Sequence, residues 1–143
     1  MAGQVIWITG LSGAGKTTLA KALIQRLQEC ELQPILLDGD ILRNLLHVSE
    51  NDPDSHSRKA RIKLALKYAQ MCSLLLDQGI IVVITTISIF DELYAWNHEN
   101  LTNYFKVYLK VPLDKWRRYL KDKILAKLLL KYSALLICTM CNG

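Results

Sequence analysis

Three glycines within six residues, Gly10, Gly13 and Gly15, followed at once by Lys16, Thr17 and Thr18, constrain this chain more tightly than any other feature. The residues before them, Gln4-Val5-Ile6-Trp7-Ile8-Thr9, are apolar and β-branched and read as a buried strand. After them, over 16–31, Leu19, Ala22, Leu23 and Leu27 recur at helical spacing. Glycines between a strand and a helix let successive backbone N–H groups turn toward one anion, and the helix adds the positive end of its dipole. Lys16 then reaches the β- and γ-phosphates of a nucleoside triphosphate, and the Thr17 hydroxyl ligates Mg²⁺. The expected ATP site is therefore Gly10, Leu11, Ser12, Gly13, Ala14, Gly15, Lys16, Thr17 and Thr18, with ATP and Mg²⁺ as cofactors.

The rest of the chain alternates in the same way. Strands are expected at 35–37, 80–85 and 105–111, and helices at 41–47, 57–78 and 91–100, with a polar loop over 51–57 around Pro53. In the long helix Ile62, Leu66, Ala69 and Leu76 mark the apolar positions, and Gly79 stops it with a left-handed cap. The run 80–85 is continuously apolar and β-branched, as in a central strand buried on both faces. Strands separated by helices imply a parallel sheet with right-handed crossovers, an α/β fold of the P-loop kinase type in three α/β/α layers. At 143 residues there is room for a single domain, 1–143.

Composition narrows the function classes. The longest nearly uncharged run, 79–90, is too short to span a bilayer, and the N-terminus passes straight into a strand without a basic leader, so a cytoplasmic enzyme with no membrane partner is expected. Cys30 and Cys72 fall in helical patterns and are expected to be buried thiols, while Cys138 and Cys141 form a lone pair with no further ligands nearby. Residues 1–114 carry a balance of −1 and residues 115–143 a balance of +6. No aromatic stacking motif accompanies those C-terminal cations, so nucleic acid is not an expected partner.

Asn-Lys-x-Asp, the guanine-reading motif, is absent, which argues against a GTPase switch. Asp38 and Asp40 are the carboxylates at a strand end, where a doubly wound sheet opens toward its ligand crevice. A carboxylate there can hold Mg²⁺ through water and take the proton of an acceptor hydroxyl, which is what a small-molecule kinase requires. Lys16, Asp40 and Asp38 are thus the catalytic candidates, with Thr17 and Asp40 serving the metal.

The order Trp7-Ile8-Thr9-Gly10-Leu11-Ser12-Gly13-Ala14-Gly15-Lys16-Thr17-Thr18, then Leu37-Asp38-Gly39-Asp40-Ile41-Leu42-Arg43, resembles the adenylylsulfate kinase family. Arg58, Ile87-Ser88 and Val107-Tyr108-Leu109-Lys110-Val111-Pro112-Leu113 extend the resemblance over roughly residues 4–114. The resemblance implies transfer of the γ-phosphate of ATP to the 3′-hydroxyl of adenylyl sulfate, a small nucleotide acceptor, and a homodimer as the assembly. By the same resemblance Asp40 lies nearest the acceptor hydroxyl with Asp38 assisting, and Arg43 and Arg58 hold the phosphosulfate. Arg61 stands where the family has an acceptor-contacting Asn, and Ile87 and Ser88 complete the acceptor side, Ser88 matching a serine the family describes as a phosphoserine intermediate.

The chain departs from that pattern at Arg61, at Ile89-Phe90 where the family has Pro and an aromatic, and most of all after Pro112. An Arg-Asp-x-Lys-Gly-x-Tyr segment is expected there, and Lys115-Trp116-Arg117-Arg118-Tyr119-Leu120-Lys121-Asp122-Lys123 stands in its place. Two readings of 115–143 stay open. One is a basic helix over 116–132, with Leu120, Ile124, Leu128 and Tyr132 in register, followed by a short strand. The other is a shifted reading frame after Leu113, which leaves the sheet without its last strand. The departures also keep two rivals in view: a kinase of another activated nucleotide, such as cytidine diphosphoramidate in capsule decoration, and a nucleotide-binding protein without turnover.

Overall fold

The computed structural model describes residues 2–46 and 54–110. Both readings of the basic tail, the Cys138–Cys141 pair and the end of the last expected strand lie outside these residues. The described elements run β1 (Gln4–Gly10), α1 (Lys16–Glu29), β2 (Ile35–Asp38), α2 (Gly39–Leu45), α3 (Arg58–Asp77), β3 (Ile81–Thr86), α4 (Asp91–Asn100) and β4 (Tyr104–Leu109). The strands form one parallel sheet in the order β2-β3-β1-β4. This is the α/β P-loop kinase architecture the alternating pattern predicts.

β1 lies between β3 and β4, and Val5 to Thr9 have no exposed surface. Alternation along it supplies two cores. Val5 and Trp7 pack with Ala65, Tyr68, Ala69 and Cys72 of α3 and Leu93 of α4, while Ile6 and Ile8 pack with Leu19, Ala20, Leu23 and Leu27 of α1. Helices thus cover both faces of the sheet, and β3, apolar on both sides, is buried throughout.

Two local expectations are corrected, the burial of Cys30 and the start of α2. In α1 Ala20 is fully buried and Ala22 only partly so, and Cys30, the residue that closes the helix, is exposed rather than buried. In α3 the buried stripe is Ala65, Tyr68, Ala69, Cys72 and Leu76, with Ile62 and Leu66 at its margins. Gly79 ends that helix in the left-handed region, at φ 77°, as its position implied.

The second correction concerns α2, which begins at Gly39 and not at Ile41. The Asp38 carboxylate starts it early by accepting hydrogen bonds from the backbone N–H groups of Asp40 at 3.0 Å and Ile41 at 3.3 Å. Its other oxygen accepts from the Thr85 hydroxyl of β3 at 3.4 Å. Gly39 is required by proximity: a Cβ there would lie 2.6 Å from the Thr85 carbonyl oxygen. Because that neighbour is backbone in a central strand, it cannot swing aside, and Gly39→Ala is expected to cost about 1–3 kcal/mol in urea unfolding. Asp38→Ala should cost about 1 kcal/mol through the lost cap, whereas Asp38→Asn, which can still cap, should stay within a few tenths. Equal losses for the two Asp38 variants in the same unfolding series would contradict the capping role.

Candidate active site

The C-terminal ends of β1, β2 and β3 open onto a cavity of about 590 Å³. One wall is the loop 10–15 and the start of α1. Gly13 and Gly15 there have φ of 74° and 91°, values that side chains disfavour, and Ala14 N–H closes the turn onto the Leu11 carbonyl at 3.1 Å. α1 starts with no side-chain cap and no acidic residue in its first turn. Its end is left as a set of backbone donors with positive potential, a setting made for phosphate oxygens. Lys16 folds over the loop, its Nζ donating to the carbonyls of Gly10 at 2.9 Å and Leu11 at 2.8 Å. Burial lowers its pKa from the ordinary lysine value, and Asp40 and then Asp38 pull the other way.

The opposite wall comes from α2 and α3. Asp38 is engaged by its cap and Thr85, but the exposed Asp40 carboxylate makes no hydrogen bond or ion pair among the described residues. Arg43, also lining the cavity, keeps one guanidinium nitrogen buried with no hydrogen-bond partner. A buried donor without an acceptor is costly, and an anionic ligand would remove that cost. Tyr68 donates to the Gly39 carbonyl at 3.2 Å, tying α3 to the start of α2. Burial pushes its phenol up to about 12 against the opposing effect of Arg43.

The third wall is the segment after β3. Trp7 Nε1 donates to the Thr86 hydroxyl at 3.0 Å. The Ser88 carbonyl accepts from the Thr9 hydroxyl at 3.0 Å and the Tyr94 hydroxyl at 2.9 Å. β1 therefore pins both this segment and the phosphate loop. Ile87, Ser88 and Phe90 line the cavity.

Of the residues expected from sequence, the cavity brings together Ser12, Gly13, Gly15, Lys16, Thr17, Thr18, Asp38, Asp40, Arg43, Arg61, Ile87 and Ser88. Gly10, Leu11 and Ala14 shape the loop from behind. Arg58 is placed elsewhere: it pairs with Glu92 of α4 at 2.8 Å and 3.0 Å and is not among the lining residues. That pair raises the Arg58 pKa and lowers that of Glu92. Sequence reasoning missed His56, Leu64, Ala65, Tyr68, Thr85, Thr86 and Phe90. Arg61, Leu64, Ala65 and Tyr68 follow helical spacing, so one face of α3 was there to be read as the cavity wall.

Among the described residues no group of three or more His, Cys, Asp or Glu gathers as a metal cage. Mg²⁺ bound with a nucleotide needs no such cage, since it keeps several waters and takes only one or two protein oxygens beside the phosphates. The Thr17 hydroxyl and the Asp40 carboxylate, oxygen donors on facing walls, fit that requirement. No helix among the described residues is long and apolar enough to cross a membrane.

A family model described as adenylylsulphate kinase matches residues 2–129, past residue 114 and into the basic segment. The cytidine diphosphoramidate kinase of Campylobacter jejuni is 43% identical over 112 residues, covering 78% of this chain and 62% of that protein. The adenylyl-sulfate kinase of Gloeothece citriformis is 35% identical over 115 residues, covering 78% of this chain and 61% of its own length. The chain thus spans about three fifths of the length of these curated relatives. Among solved structures, the APS kinase of Mycobacterium tuberculosis in complex with AMPPNP and APS superposes with a TM-score of 0.71 at 28% identity, covering 88% of this chain and 73% of that one. With the phosphate loop, the sheet order and the match over 2–129 in agreement, this chain belongs to the adenylylsulfate kinase family.

Proposed function

We propose that this chain transfers the γ-phosphoryl group of ATP to a ribose hydroxyl of a nucleotide carrying an activated phosphate-linked group. The observation that carries this reading is the two-sided cavity. Lys16, Thr17 and the open N-terminus of α1 form one side, and Asp40, Arg43 and Arg61 form the other. ATP binds with its phosphates on the loop, and Lys16 stabilises charge that develops on the transferred group. Thr17 and Asp40 would hold Mg²⁺, which would supply positive charge to the phosphates when bound. Asp40 accepts the proton of the acceptor hydroxyl as its oxygen bonds to the γ-phosphorus and the bond to the β-γ bridging oxygen breaks, leaving ADP. Transfer is direct and in line, without a phosphoserine. Ser88 is buried, and among the described residues no histidine or carboxylate hydrogen-bonds its hydroxyl as an activating base would.

Two acceptors are candidates, each suggested by the name of a relative. The motif from Leu37 to Arg43 favours adenylyl sulfate. The 43% identity to a cytidine diphosphoramidate kinase, together with Arg61 on the cavity wall where the sulfate-activating pattern has Asn, favours the cytidine nucleotide. We place cytidine diphosphoramidate first and adenylyl sulfate second. Both present a nucleotide with a charged group beyond its first phosphate, which suits the unpaired Arg43 nitrogen and Arg61. A cytoplasmic site of action and a homo-oligomeric state belong to the same reading, the latter checked by mass in solution.

A coupled ADP-release assay with each acceptor tests the proposal: turnover should depend on acceptor and be higher with cytidine diphosphoramidate. Nucleotide binding without acceptor-dependent ADP release would instead make the chain a binding protein. Lys16→Ala should lower kcat at least about a hundredfold with the melting temperature unchanged. Asp40→Asn should lower kcat by about 10²–10⁴-fold while ATP affinity is retained, measured by calorimetry. Normal turnover in either variant removes that residue from the mechanism.

A further inference from the structure

The first turn of α3 contains Arg58, Lys59 and Arg61 and no acidic residue, although a helix N-terminus disfavours cations. Those charges therefore answer to something other than the stability of their own helix. Arg61 faces the cavity and has no ion pair among the described residues. Arg58 meets Glu92 in a two-pronged contact, Nη1 to Oε1 at 2.8 Å and Nη2 to Oε2 at 3.0 Å. Glu92, with Asp91, sits in the first turn of α4, where a carboxylate is favoured. Between these two helix starts lies Phe90, whose ring centre is 5.7 Å from the Arg58 guanidinium carbon and 5.6 Å from that of Arg61. Phe90 is the N-cap residue of α4, has no capping side chain, and lines the cavity.

We infer that Glu92 is a positioning residue that holds Arg58 on the Phe90 ring, so that Arg58 acts on the acceptor through Phe90, while Arg61 is the guanidinium that meets the acceptor's charged group. The inference rests on the proposed nucleotide-kinase reading and refines its acceptor side. Arg58 and Glu92 are 66% and 50% exposed, and an ion pair in water adds little to folding. Its value is geometric. A guanidinium fork engaged by both carboxylate oxygens is fixed in plane and direction, and the attraction between cation and ring then fixes the aromatic wall. Glu92 lies 34 positions from Arg58, so the contact joins the mouths of α3 and α4 across the cavity's edge.

Coupling through the ring separates this arrangement from direct contact, because an Arg58 that acts through Phe90 has nothing left to act on once the ring is removed. Glu92→Gln and Arg58→Gln should each raise the acceptor KM about five- to tenfold with the ATP KM unchanged, and the double variant should be no worse than either. Arg58→Gln added to Phe90→Leu should leave the acceptor KM within about threefold of Phe90→Leu alone, while Arg61→Gln added to Phe90→Leu should raise it further. A further rise of about five- to tenfold when Arg58→Gln is added to Phe90→Leu would overturn the inference and put Arg58 on the acceptor.

A second readout needs no turnover. The chain has two phenylalanines, Phe90 and Phe105, so uniform labelling with 4-fluorophenylalanine gives two ¹⁹F resonances, assigned with Phe105→Leu. The Phe90 resonance should shift in Glu92→Gln and in Arg58→Gln. An unmoved resonance in Glu92→Gln defeats the clamp whichever nucleotide is the acceptor. If wild type turns over neither nucleotide, the proposed function fails, and the fluorine spectrum still decides the clamp.

Discussion

The parallel pairing of β1 with β3, from Gln4 opposite Ile81 to Thr9 opposite Thr86, sets the position of every group in the cavity. Both strands are buried on both faces, so neither can slide or rotate without exposing an apolar face. That register aligns the two strand ends from which the site grows. The phosphate loop leaves β1 at Gly10, and the Ile87–Phe90 segment leaves β3 after Thr86. The bonds from Trp7 to Thr86 and from Thr9 to the Ser88 carbonyl are made at this joint. One strand therefore carries the glycine-rich loop and anchors the Ile87–Phe90 wall of the cavity.

The second constraint is the close contact between α2 and β3. Gly39 allows the helix start to lie against the Thr85 carbonyl, and Asp38 and Tyr68 hold it there. The result divides two neighbouring carboxylates by role. Asp38 is consumed in structure, its oxygens turned to the helix start and to β3, while Asp40 one turn-step later faces Lys16 across open space. Both carboxylates pull the Lys16 pKa upward against burial, Asp40 first and Asp38 second. A pair that looks equivalent in sequence becomes one carboxylate engaged in hydrogen bonds and one that makes none among the described residues.

What the sequence disclosed follows from the range of the interactions involved. The loop 10–18, the β1 strand and the β3 run were readable because each depends on local pattern: glycine spacing, β-branched runs and a helix following at once. The start of α2 was misread because it depends on how one side chain, Asp38, folds back on the backbone. Cys30 was misplaced because a helix phase near its end cannot be read without knowing where the helix stops. Tyr68 escaped notice since its importance comes from the face of α3 that turns toward α2, and Phe90 stood out only as a departure from a motif because its contacts with Arg58 and Arg61 are tertiary. Arg58 is the clearest instance. Motif position gave it an acceptor-binding expectation, while its partner Glu92 carries no motif at all.

We propose that the two walls of this cavity serve transfer between nucleotides and not simple hydrolysis. ³¹P NMR of the full chain with Mg²⁺, ATP and cytidine diphosphoramidate reads this directly. A new phosphomonoester resonance of the ribose-phosphorylated nucleotide should grow in step with ADP, with little inorganic phosphate. ATP consumption yielding ADP and inorganic phosphate alone, with the signals of cytidine diphosphoramidate, and of adenylyl sulfate in a parallel sample, unchanged, would contradict it.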